Sequence, residues 1–149
     1  MGLPALAADY LFLAPLIEAR LKDQIADMPV DVCETVEQVL ASDQRSQVLM
    51  VMWAGDRFVE SEAGRAGGGA SQVLYQRWLV ILALNNVARA KDARNSKAGP
   101  LLSAVHKALA GWIPEGAARP IRRANAAMRP DINAQKALYP MGFEAPLTL

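Results

Sequence analysis

The stretch "SQVLYQRWLVILALNNVA", from Ser71 to Ala88, constrains this chain more than any other. It is too polar at its start for a buried helix and too rich in β-branched and aromatic residues for a loop, so it reads as a long strand. Alternation places Trp78, Val80, Leu82 and Leu84 on one side. Tyr75, Arg77, Leu79, Ile81 and Ala83 fall on the other. Upstream lies a second apolar run rich in strand formers, "QVLMVMWAG", which "DRFVESE" extends or follows as a neighbouring strand. Two such runs with no helix between them favour antiparallel pairing.

The connection between them contains "GRAGGGAS", Gly64 to Ser71. Gly64, Gly69 and Ser71 have the spacing of a phosphate-binding loop, but Ala70 stands where the lysine belongs and a strand follows where a helix should. Without that helix there is no N-terminal dipole to hold a phosphate. The segment reads instead as a long glycine-rich hairpin loop. Such loops inside compact domains are functional or disordered. Ordering on a partner subunit is the functional form, with Glu60, Glu62 and Arg65 as the side chains able to make contacts.

Around this hairpin the remaining elements are short. "APLIEARLKDQIADMP" reads as a helix with Leu16, Ile17, Leu21 and Ile25 at helical spacing, Pro15 in its first turn, and Asp27 and Pro29 at its end. "VDVCETV" alternates like a strand, and Thr35 with Gln38 fits a capping box opening a two-turn helix to about Ser42. "ARAKDARNSKAG" reads as a polar turn. "GPLLSAVHKALAGWIP" reads as a helix with Pro100 in its first turn, an apolar stripe of Leu101, Leu102, Val105, Leu109 and Trp112, and a stop at Pro114 and Gly116. In the proline-bearing tail, "PIRRANAAM" and "KALYPMGFEAPL" read as two short strands, the second at a sheet edge. The expected fold is α+β: a mostly antiparallel sheet with helices packed on one face, in a single domain over residues 1–149.

Composition sets limits on chemistry. Cys33 and His106 are each the sole residue of their type, which excludes an internal disulfide and a Cys–His zinc site within one chain. No motif for a hydrolase, a metalloprotease or a nucleotide enzyme occurs. Ser103 and His106 share a helix at i, i+3, but nothing nearby offers an oxyanion donor, so no catalytic residues, cofactor or metal are expected. No apolar run reaches membrane-spanning length, and the apolar N-terminal stretch lacks a basic leader and is broken by Asp9. The chain reads as soluble and made in a cytoplasm.

Net charge is +1 over 149 residues, yet residues 1–63 carry four basic and eleven acidic side chains while residues 64–149 carry twelve basic and four acidic. Three readings follow. The halves interleave in space and the asymmetry vanishes; the basic half, with Arg119, Arg122, Arg123 and Arg129, binds nucleic acid; or the halves form complementary faces that meet when subunits associate head to tail.

The order of elements, and above all the portion from Tyr75 to Pro114 with "YQRWLVILAL" followed by "AGPLLSAVHKALAGW" and the closing "LYPMGFEAPL", resembles the tail terminator proteins of long-tailed phages and Mu-like prophages. The resemblance implies a structural virion protein that caps the tail tube as a homohexameric ring at the neck-proximal end. Its implied partners are the tail tube protein, a head-side connector or stopper protein, and DNA passing through the bore without sequence recognition. The candidate interface residues are Glu60, Glu62, Arg65, Arg119, Arg122 and Arg123. The alternatives are a small nucleic-acid-binding protein or a neighbouring head–tail connector protein.

Overall fold

The computed structural model describes residues 5–35, 37–38, 46–60, 72–85, 91–132 and 136–148. The glycine-rich segment, with Glu62 and Arg65, lies outside them. Three helices are described: α1 (Ala5–Ala8), α2 (Leu13–Gln24) and α3 (Lys91–Leu109). Six strands form one sheet: β1 (Val30–Val32), β2 (Gln47–Glu60), β3 (Gln72–Asn85), β4 (Arg122–Ala124), β5 (Asp131–Ile132) and β6 (Lys136–Thr148). The order across the sheet is β1-β2-β3-β6-β4, with β5 also on β6. Only β1 runs parallel to its neighbour; the other pairings are antiparallel. The fold is α+β, as expected.

The β2–β3 hairpin is the backbone of the molecule. It pairs from Gln47 with Leu84 to Glu60 with Gln72, interrupted by a bulge between Trp53 and Asp56. Gly55 occupies the bulge with φ 95, a conformation that costs glycine nothing and other residues strain. The alternation read along β3 holds. Trp78, Val80, Leu82 and Leu84 join a core that includes Leu13, Ile17 and Leu21 of α2 and Val105, Ala108 and Leu109 of α3. Leu79, Ile81 and Ala83 join a second cluster on the opposite face with Cys33, Val48, Met50 and Leu138. Burial there pushes the Cys33 thiol up in pKa, with Asp31 adding to the shift.

Helix α2 buries Leu13, Ile17 and Leu21, four residues apart, and the chain reverses at Asp27 with φ 57, a left-handed conformation that Asp tolerates. The expected capping box is present: Thr35 Oγ1 accepts the Gln38 N–H at 3.3 Å, and Gln38 Oε1 accepts the Thr35 N–H at 3.4 Å. Most of the helix it was expected to open lies outside the described residues.

Several expectations for the second half are corrected. The polar segment before Gly99 is helix, not turn. α3 begins at Lys91, and Pro100 lies inside it instead of in its first turn. Lys, Ala and Arg are strong helix formers, and the carbonyl of Ser96, which loses its partner to the proline, belongs to an exposed residue that water can reach. The helix stops at Leu109 instead of near Pro114, with Gly111 at φ 85 just beyond it. The closing strand is interior: β6 pairs with β3 along its whole length and carries β4 and β5 on its other side. Pro140 and Pro146 are tolerated because β5 meets β6 at 137–138 and β4 meets it at 142–144, leaving both prolines where only β3 lies alongside. An even separation puts both missing N–H groups on the same side of the strand. Of "PIRRANAAM", only Arg122–Ala124 is strand.

Candidate functional site: an arginine cluster around Glu144

The face of the sheet away from the helices changes character along β3 and β6. Past Leu79, alternation brings Arg77 and Tyr75 onto that face. Cross-strand pairing sets Arg77 opposite Glu144, Tyr75 opposite Arg57, and Glu144 opposite Arg122. Four strands thus deliver five side chains to one place.

Glu144 is buried, while the three arginines keep their heads in solvent: side-chain exposure is 8% for Glu144 against 37%, 46% and 52% for Arg57, Arg77 and Arg122. Arg57 donates from Nε to Oε1 at 3.3 Å and from Nη2 to Oε2 at 2.9 Å. Arg122 Nη2 donates to Oε2 at 3.0 Å, and Arg77 Nε lies 3.7 Å from Oε1. The guanidiniums of Arg57 and Arg122 both stack on Tyr75, at 4.2 and 4.5 Å from its ring centroid. The hydrogen bond from Arg57, with that from Arg122 behind it, holds the Glu144 carboxyl below the usual carboxylate range against the opposing effect of burial. One carboxylate neutralises one of three cations, so the cluster keeps an excess positive charge on side chains whose geometry is already fixed. Arginine forks held in this way suit a carboxylate or phosphate on a partner.

Of the residues expected at an interface, Arg122 belongs to this cluster. Arg123, its neighbour, does not. It sits over Phe143 at 5.2 Å, on the helix side of the sheet, and donates from Nη1 to the Gly142 carbonyl at 3.0 Å. Consecutive strand residues point to opposite faces, so Arg122 and Arg123 flank the β4 edge from the two faces of the sheet. Arg119 is exposed in the approach to β4. Glu60 is the last residue of β2. Arg57, Arg77, Tyr75 and Glu144 were not singled out from sequence. Their partnership depends on register between strands up to 87 residues apart.

A second polar group lies at the bulge. Tyr10 donates its hydroxyl to Asp56 Oδ2 at 2.5 Å, and Trp53 Nε1 donates to Asp56 Oδ1 at 3.1 Å. Burial, with Asp56 adding to it, pushes the Tyr10 phenol up to about 12. The Tyr10 carbonyl accepts from Gln76 Nε2 at 2.8 Å, and Gln76 Oε1 accepts from Trp78 Nε1 at 3.0 Å, which fastens the segment before α2 to the middle of the sheet. Ser103 and His106 are both exposed on α3, in a shallow open cleft with Lys107 and Arg123. Among the described residues no cluster of His, Cys, Asp or Glu could hold a metal ion, and no described helix is long and apolar enough to cross a membrane.

A family model for the phage tail terminator protein matches residues 7–149. The chain belongs to the phage tail terminator family. No curated protein matched it. Membership makes it a structural phage tail protein located in the tail of the virion, associated with other tail components.

Proposed function

We propose that this tail terminator caps the tail tube as a homohexameric ring, ending tube polymerisation and presenting a surface to the head-side connector or stopper protein. DNA passes through the bore without sequence recognition. The protein is assembled in the host cytoplasm and stays at the neck-proximal end of the tail. The family match over residues 7–149 carries this reading. The preorganised arginine cluster around Glu144 supports it, because arginine and tyrosine are the residue types that concentrate at the energetic centres of interfaces. Glu60, Glu62 and Arg65, at and beyond the end of β2, are proposed as further contacts to a neighbouring subunit or to the tube.

The test is assembly. Purified protein added to growing tail tubes should stop their elongation and appear as a six-membered ring at the tube end in negative stain. Tubes formed without it should run past the normal length. Tubes of normal length in its absence would sink the proposal.

A further inference from the structure

The charge asymmetry of the sequence has a definite place in the fold. β1 is one outer strand of the sheet and β4 the other. From residue 25 to 38, through β1, the chain carries Asp27, Asp31, Glu34 and Glu37 and no basic residue. Asp27, Glu34 and Glu37 are exposed. From residue 117 to 130, through β4, it carries Arg119, Arg122, Arg123 and Arg129 and no acidic residue, and all four are exposed. Among the described residues, the charged side chains of the neighbouring elements are engaged with other partners or outnumbered. On α2, Lys22 pairs with Glu18 at 3.3 Å, and Arg20 is turned to α3, donating to the Ala108 carbonyl at 2.9 Å with its guanidinium over Trp112. On the basic side, Glu144 is outnumbered by Arg57, Arg77 and Arg122, and Asp131 sits on β5, further along β6.

The β1 edge also carries apolar surface. Beside β1, Tyr10, Leu11, Val32 and Trp53 are each about two-fifths exposed, and Leu11, Val32 and Trp53 line one cleft with Ala14 and Cys33. Apolar side chains grouped beside a single-sign charge are typical of surface that a partner covers.

We propose that copies of this protein associate head to tail through the two outer edges of the sheet, the acidic β1 edge of one copy meeting the arginine-rich β4 edge of the next. The occupant of each edge is a second copy because one chain carries both complementary charges, at opposite ends of one rigid sheet. A contact between unlike edges leaves one of each edge free, so it propagates until the rotation between copies closes a ring. The proposal rests on the ring reading above and names the surfaces that would form it.

Charge reversal tests it with two variants that leave the Glu144 cluster untouched. Glu34→Lys with Glu37→Lys leaves the four β1-edge positions with no net charge; Arg119→Glu with Arg129→Glu does the same at the four β4-edge positions. All four positions are exposed, so the thermal melts should match wild type. Sedimentation should show each variant alone as a monomer at concentrations where wild type forms rings. An equimolar mixture should associate as heterodimers, through the intact β4 edge of the first variant and the intact β1 edge of the second, and in wild type raised salt should weaken the contact. If either variant alone forms rings as wild type does, the edges are not the contact, although the ring itself stands. Variants that form rings normally but fail to cap tubes would assign the edges to the tube protein and overturn self-association through them. Two monomeric variants that do not associate when mixed would also overturn it. Wild type that stays monomeric even on tube ends would remove the ring reading and this inference together.

Discussion

The Arg57 guanidinium holds the Glu144 carboxylate with two hydrogen bonds, at 3.3 and 2.9 Å, although the residues are 87 positions apart. Removing the carboxylate leaves three guanidiniums facing one another beside a buried gap. Glu144→Gln keeps the shape and loses the charge, and should cost about 1–3 kcal/mol of stability, measured by chemical denaturation. Arg57→Lys should lose part of the same amount, because an ammonium cannot reproduce the fork or the stack on Tyr75.

Acid should act through the same residue. The folded pKa of Glu144 lies below its ordinary value of 4.5. Its contribution is therefore complete above pH 4.5 and is lost as pH falls through the lower folded value. The melting temperature of wild type should drop more steeply below about pH 4.5 than that of Glu144→Gln. Parallel curves for the two proteins would show that the pairing adds no pH-dependent stability.

The Tyr10 phenol gives the opposite sign. Its pKa is raised from 10.0 to about 12, so the stability it contributes is present below pH 10 and is lost as pH rises toward 12. Asp56→Asn removes the acceptor charge, and should lower the alkaline midpoint of tyrosinate absorbance and change the fluorescence of Trp53, which shares the same carboxylate.

Gly142 is held by contact. A Cβ there would lie 2.8 Å from the Ala124 carbonyl oxygen, the Ala126 nitrogen and the Asn125 carbonyl carbon, all backbone atoms where β4 crosses β6. Gly142→Ala should cost about 1–3 kcal/mol, at the scale of core overpacking, and should expose the β4 amides to hydrogen exchange.

Pro100 should show the reverse. It is exposed within α3, where it removes a helical hydrogen bond. Pro100→Ala should raise stability by about 1–3 kcal/mol, less than the full helix-interior penalty because the freed carbonyl can bond water. A destabilised variant would mean that the proline constrains the unfolded chain more than it disturbs the helix.

Local pattern determined much of this protein by itself. The division of β3 side chains between two faces follows from alternation at Trp78 to Leu84. The Thr35–Gln38 box and the apolar stripe of α2 follow from spacing, because such features depend on residues within a turn or two of each other. The tertiary structure alone decided three things. Helix-forming residues ahead of Pro100 could stay helical because the Ser96 carbonyl, which loses its partner to the proline, belongs to an exposed residue. A strand with two prolines could lie inside the sheet because its short neighbours leave gaps opposite Pro140 and Pro146. The cluster of Arg57, Arg77, Arg122 and Glu144 could form because the register of four strands brings distant positions together. Arg122 and Arg123, adjacent in the chain, were parted by the same rule that made β3 legible: side chains alternate across a strand, and only the sheet determines what each face meets.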